Sequence, residues 1–242
     1  MALLKGTLGN DCVHSVVLSQ SFAFIHHPWI NRLKARMHLP EILRYLNFRP
    51  VMTSDYDLRS GRAARLLDRM LHFYPSEERC TNGVCRRLLL MYGEVVRHDQ
   101  LDLATHELFY DMFDRANLTA LQHLGKMIER GRIVDKDGGD TYVTRKGARS
   151  ITVPITLIQG MANRLFRPDG ARATYDWLIE NGRFEPNNRD MFTLVEIPEY
   201  GHLDTFIGKR ASTAVYPKIL RALEIMDRSA REGAPVRPRE RV

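Results

Sequence analysis

The sequence predicts an α/β fold: parallel strands covered by helices, with a long, mostly helical segment inserted after the first strand. Three observations carry this. Two β-branched apolar runs, Ile151–Ile158 and Phe192–Ile197, each end in a turn that holds polar groups. Between them Gly170–Asn181 has helical spacing, with Ala171, Tyr175, Leu178 and Ile179 on one side and Gly182 as a C-cap. An earlier run, Val13–Ser19, supplies a further strand ahead of the insertion. Short, near-continuously apolar strands joined by a helix imply a parallel sheet buried on both faces, with chemistry at the strands' carboxyl ends. Asn163 and His202 occupy two of those ends.

In chain order, Met1, Leu3, Leu4 and Leu8 make a helix-like apolar face that Gly9 and Asn10 stop. Pro28 opens a helix over WINRLKARM, and Pro40 begins another over EILRYL. Ser60 caps GRAARLLDRMLHFY, whose Ala63, Leu66, Leu67 and Met70 share a face. Helices are expected at Val84–Val95, Ala104–Phe113 and Leu118–Glu129, the last bracketed by Asn117 and Gly131. A short hairpin is expected at Arg132–Asp135 and Thr141–Thr144 around the turn KDGG.

Composition narrows the classes. With 44% hydrophobic and 27% charged residues, the 242-residue chain is in the ordinary globular range. Three cysteines, without a disulfide-framework spacing, predict a reducing, cytoplasmic setting. No secretory signal and no apolar run of membrane-spanning length is expected. The net charge of +7 is concentrated in part at Arg228–Val242, where five arginines face two glutamates among Gly and Pro. That tail predicts a solvated end, and no basic stripe with interleaved aromatics predicts nucleic-acid binding.

The pattern G-x-x-N-x-x-F-x-P-D at Gly160–Asp169, followed by Y-G-H-x-D at Tyr200–Asp204, resembles the last third of an α/β-hydrolase. The runs CTNGVCRR (Cys80–Arg87), MYGE (Met91–Glu94), HDQL (His98–Leu101) and THELF (Thr105–Phe109) narrow the resemblance. They are similar to the hydrolase module of sterol-oxidase-like proteins, which is joined to, or encoded with, a flavin-dependent oxidoreductase of the glucose–methanol–choline type. The resemblance implies an incomplete α/β-hydrolase fold. Residues 1–21 and 148–227 form the partial core, 22–147 a helical lid, and 228–242 a flexible basic tail. His202 is then the general base, Asn163 stands in the acid's place, and Asp169 is the alternative acid.

A neutral Asn orients an imidazole without stabilising its charge, which suits a thiolate nucleophile better than a serine. No G-x-S-x-G or G-x-C-x-G occurs in the sequence. Ser19 and Ser21 lack the small neighbours that a nucleophile elbow needs. The resemblance therefore places the nucleophile upstream of these residues and implies a truncated product, a mis-set start codon or one half of a split protein. No G-x-G-x-x-G follows a strand, so no cofactor is assigned. The expected substrate is a small apolar ester, thioester or sterol-like molecule. The alternative is a non-catalytic module that binds an apolar ligand or a flavin oxidoreductase partner. Asp204, two residues beyond His202, is expected to anchor the loop.

Cys80 and Cys85, with His98 and His106 downstream, form one more constellation. The seven-residue gap between the histidines departs from zinc-finger spacing. The expectation from sequence is a buried thiol pair and no metal.

Overall fold

The computed structural model describes residues 1–7, 13–37, 51–53, 69–113, 115–182 and 191–232. The strands are β1 (Val16–Ser19), β2 (Val51–Thr53), β3 (Arg115–Asn117), β4 (Ile155–Gly160) and β5 (Phe192–Ile197). The helices are α1 (Trp29–Arg36), α2 (Gly83–Met91), α3 (Leu103–Glu107), α4 (Phe109–Met112) and α5 (Leu118–Arg130). They continue with α6 (Arg145–Ser150), α7 (Pro168–Asn181), α8 (Asp204–Ile207), α9 (Ala211–Ala214) and α10 (Tyr216–Glu232).

The central sheet is parallel, in the order β1-β4-β5. Val16 pairs with Ile155 and Ser19 with Ile158, while Ile155 pairs with Phe192 and Gly160 with Ile197. Every residue of β4 is buried, as expected of a strand flanked on both sides and covered on both faces. Pairing begins at Ile155 rather than Ile151 because Pro154 has no N–H to give the ladder; its carbonyl accepts from the Val16 N–H at 2.9 Å.

Side chains alternate between two layers. Ile155 and Leu157 pack with Ala171 and Leu178 of α7, together with Phe22, Ile151 and Phe192. Ile158 and Ile197 face the other way, onto Tyr200, Ala211 and Val215. Each fully buried Leu or Ile of β4 contributes roughly 1.5–3 kcal/mol of hydrophobic stabilisation. The sheet is thus the middle of an α/β/α arrangement, as predicted.

Among the described residues, the segment between β1 and β4 carries α1 to α6 and also an antiparallel pair, β2 with β3, with Val51 opposite Asn117. That pair joins positions more than sixty residues apart, a separation that local periodicity does not reveal. Helix α5 matches its prediction closely. The Asn117 Oδ1 accepts from the Thr119 N–H at 2.8 Å, and Gly131 closes the helix in the left-handed conformation at φ 67°. The expected 104–113 helix is split at Leu108 into α3 and α4. The expected hairpin after α5 is a turn closed by Asp135 and Gly139, without flanking strands. Thr144 instead caps α6, its Oγ1 accepting from the Gly147 N–H at 2.9 Å. Met1–Gly6 forms turns rather than a helix. The expected helix over EILRYL, most of GRAARLLDRMLHFY and the end of the tail lie outside the described residues.

A further core gathers Val84, Leu88, Val95, Val96, Leu101 and Phe109 around Leu165, which follows β4. It connects the intervening segment to the strand ends. No helix among the described residues is long and apolar enough to cross a membrane.

Candidate functional site

The loops after β4 and β5 are fastened to each other by their backbones. The Met161 N–H donates to the Ile197 carbonyl and the Ala162 N–H to the Tyr200 carbonyl, both at 2.9 Å. A Cβ on Gly160 would collide with the carbonyl oxygens of Tyr200 and Gly201. The β4 loop approaches the β5 loop closely because position 160 has no side chain. The result places Asn163 against His202, with Nδ2 and Nδ1 at 3.2 Å.

Asn163 is 2% exposed and all its hydrogen-bonding capacity is used. Its Oδ1 accepts from the backbone N–H groups of Leu165 and Phe166, both at 2.9 Å. Two N–H donors fix which end of the amide is oxygen, so Nδ2 faces the other way. One of its protons goes to the Gln20 Oε1 at 2.7 Å, leaving the other for His202. Gln20 is oriented in turn, because the same Oε1 accepts from the Gly160 N–H at 3.2 Å. Gln20 follows β1 at φ 56° and is 2% exposed. Sequence reasoning passed over it; a long polar side chain at the end of a neighbouring strand is the signal that points to it.

The consequence is a tautomer. An amide N–H directed at Nδ1 requires a lone pair there, so the neutral His202 ring carries its proton on Nε2. A general base in a hydrolase triad needs the opposite arrangement, with Nδ1–H held by an acceptor and Nε2 free. Protonation of His202 is disfavoured twice, by the donor at Nδ1 and by burial, and burial alone pulls its pKa down to about 4. The Phe166 ring meets the imidazole edge-on at 5.0 Å and 72°. The same Phe166 also packs against His27 at 5.0 Å, whose pKa is likewise lowered to about 4, chiefly by burial.

Asp169 is not brought to His202. It lies in the first turn of α7, half-exposed, with its carboxylate 3.2 Å from His26 Nδ1 and 3.4 Å from Arg167 Nε. There it complements the helix N-terminus. Asp204 is fully buried, and its carboxylate accepts from the Gly201 N–H at 2.6 Å and the Arg97 N–H at 3.2 Å. It fastens the histidine loop to the 95–97 segment, as the sequence suggested for it, and burial raises its pKa. The Ser19 hydroxyl is buried at the end of β1 and does not join this set; it has no hydrogen-bond partner among the described residues.

His27 and His202 make stability acid-sensitive. Each binds its proton near pH 6.5 when unfolded but only near pH 4 when folded. The unfolded chain therefore holds more protons within that window, and stability falls as pH drops through it. The expected loss is on the order of 3 kcal/mol per histidine, with Asp204, whose pKa is raised, working in the opposite sense. Urea unfolding at pH 7 and pH 4.5 checks this. In His27→Gln, part of the difference between the two pH values should disappear.

The four residues Cys80, Cys85, His98 and His106 are also brought together, contrary to the spacing argument. One ligand atom from each lies within 4.8 Å of the others. Cys80, Cys85 and His98 border a cleft of about 260 Å³ beside Phe109.

A scan of protein-family models and a search of curated proteins find no match to this chain. Among solved structures, it is similar to a monoacylglycerol lipase from Paleococcus ferrophilus, at 15% identity and a TM-score of 0.46. That match covers 95% of this chain and 63% of the lipase. It is also similar to an α/β-hydrolase enzyme from a Medee basin deep-sea metagenome library, at 16% identity and a TM-score of 0.34. There the coverage is 92% of this chain and 58% of the other. The chain spans less than two thirds of the length of these structures.

Proposed function

We propose that this chain supplies the histidine and its orienting residue to an α/β-hydrolase-type site for an apolar ester or thioester. The observation that carries the reading is the 3.2 Å contact between Asn163 and His202 at the carboxyl ends of adjacent parallel strands. Acid-position residue and histidine follow consecutive strands, in the order that such hydrolases use. Segment 22–147 serves as the lid in this reading, and its apolar core reaches the site through Leu165 and Phe166.

The chemistry follows from the protonation state. A neutral His202 with Nε2–H donates a hydrogen bond to a substrate carbonyl or to the negative charge that develops on it. It is a poor base toward a serine hydroxyl. Nor does the site favour the imidazolium of a thiolate pair, because that cation would direct Nδ1–H at another N–H. Whatever nucleophile attacks the acyl carbon is not activated by His202 as this side chain is held.

That same observation favours a second reading, in which the site holds an acyl or sterol-like ligand without turning it over. The module would then act as a binding partner of a flavin-dependent oxidoreductase. Hydrolysis of short aryl esters and thioesters, with and without His202→Ala, separates the two. The hydrolase reading expects a loss of about 10²–10³-fold in kcat/KM in the variant, the cost of removing one donor to the developing charge. Unchanged hydrolysis in His202→Ala overturns it. Absence of turnover together with saturable micromolar binding of a fluorescent fatty acid supports the binding reading.

A further inference from the structure

We propose that Cys80, Cys85, His98 and His106 form a tetrahedral zinc site that ties together the elements between β1 and β4. The inference goes beyond the function proposed above and does not depend on it.

Both sulfurs converge on a single atom. The Sγ of Cys80 lies 3.4 Å and the Sγ of Cys85 3.1 Å from the Nε2 of His106. An imidazole nitrogen has either one lone pair or one proton in the ring plane, so it serves one hydrogen-bonding partner well and not two. Two thiolates around one ring nitrogen are the arrangement expected where a cation lies between them. With Zn–S near 2.3 Å and Zn–N near 2.0–2.1 Å, tetrahedral geometry puts nitrogen and sulfur ligands about 3.5 Å apart. The observed separations need only small side-chain adjustments to reach it.

His98 is independently oriented for the same role. Its Nδ1 lies 2.6 Å from the Glu78 Oε2, an oxygen that also accepts from the His98 backbone N–H at 2.9 Å. A carboxylate at that distance accepts a hydrogen bond from Nδ1–H and leaves the Nε2 lone pair unused. Nε2 is buried and has no hydrogen-bond partner among the described residues. A carboxylate behind a histidine whose other nitrogen is free is the outer-shell arrangement of zinc-binding histidines. Cys80 has its own outer contact, a backbone N–H from Asn82 at 3.3 Å to the sulfur.

The donor set selects the ion. Two thiolates and two imidazoles in a compact, partly buried cluster suit zinc rather than calcium or magnesium, which take oxygen ligands. Four protein ligands leave no open position, so the role is structural. Cys80 precedes α2, Cys85 is in its first turn, His98 lies in the 3-10 turn His98–Gln100, and His106 is in α3. A metal joining them would fix the apolar core of Val84, Leu88, Val95 and Phe109 beneath. The adjoining cleft supplies an entry path.

The test is metal content and cobalt spectroscopy on the full chain, purified and reconstituted with zinc or cobalt(II) under reducing conditions. One zinc per chain is expected. Cobalt should give thiolate charge-transfer absorption and the intense d–d bands of a tetrahedral S₂N₂ site. Cys80→Ser should abolish the charge-transfer contribution of one thiolate. Glu78→Gln, which removes no ligand, should weaken zinc binding about 10–100-fold. If Cys80→Ser fails to fold, the wild-type cobalt spectrum and the Glu78→Gln affinity still decide. Zinc well below one per chain, an octahedral cobalt spectrum, or unchanged affinity in Glu78→Gln overturns the proposal.

Discussion

Asn163→Asp is expected to reverse the tautomer of His202 and raise its pKa from about 4 by about 1–3 units. The new carboxylate keeps one oxygen on the N–H groups of Leu165 and Phe166, which now hold Oδ1 of the asparagine. Its other oxygen replaces an N–H donor with an acceptor at 3.2 Å from Nδ1, so the ring proton moves to Nδ1 and Nε2 becomes basic. Gln20 must answer the same change. Its Oε1 would face an oxygen, while its Nε2, buried and without a partner among the described residues, can rotate in to donate. That rotation gives up the bond from the Gly160 N–H, so a stability loss of about 1 kcal/mol accompanies the gain in basicity. If the site turns over esters, the variant should be faster. The reverse change in a serine protease triad, carboxylate to amide, costs about 10⁴-fold in kcat for the same tautomeric reason. NMR titration of the ring reads the pKa, and an ester assay reads the rate. No change in either would mean that the amide at 163 does not govern the histidine.

Gly160→Ala is expected to be the most damaging small substitution among the residues at the strand ends. Its Cβ would meet the carbonyl oxygens of Tyr200 and Gly201, backbone atoms that no rotamer change can move aside. The loops must separate, which strains the bonds from Met161 to Ile197 and from Ala162 to Tyr200. A cost of about 3 kcal/mol or more follows, together with lengthening of the Asn163–His202 contact. Denaturant unfolding measures the first and the His202 ring shifts the second. An alanine variant of wild-type stability would show that the loops are not packed as described.

The sheet and α7 were legible because their information is local. Apolar runs bounded by turns mark β4 and β5, and Pro168 with the Ala171–Leu178 face marks the helix between them. Asn163 and His202 were found the same way, as the polar residues just past two strand ends. What remained hidden depends on partners distant in sequence. The pairing of β2 with β3 is one example and Gln20 another, since its role comes from reaching across to Asn163, 143 positions later. The direction of the Asn163 amide is a third. Composition and spacing suggest an orienting group at 163, but only the N–H groups of Leu165 and Phe166 decide which end of it meets the imidazole. The cysteine–histidine cluster is hidden in the sequence by a seven-residue gap. That gap contains the Asp102 N-cap and the start of α3, which turn His106 back toward His98, with the two rings 5.2 Å apart.

The geometry around Asn163 calls for a neutral His202 that carries its proton on Nε2. Long-range proton–nitrogen NMR of the ring, followed from pH 8 to pH 4, tests this directly. The prediction is a protonated Nε2 and an unprotonated Nδ1 across the neutral range, with the ring titrating near pH 4. A ring protonated at Nδ1, or one that titrates at or above the ordinary histidine value of about 6.5, would contradict it and restore His202 as a conventional general base.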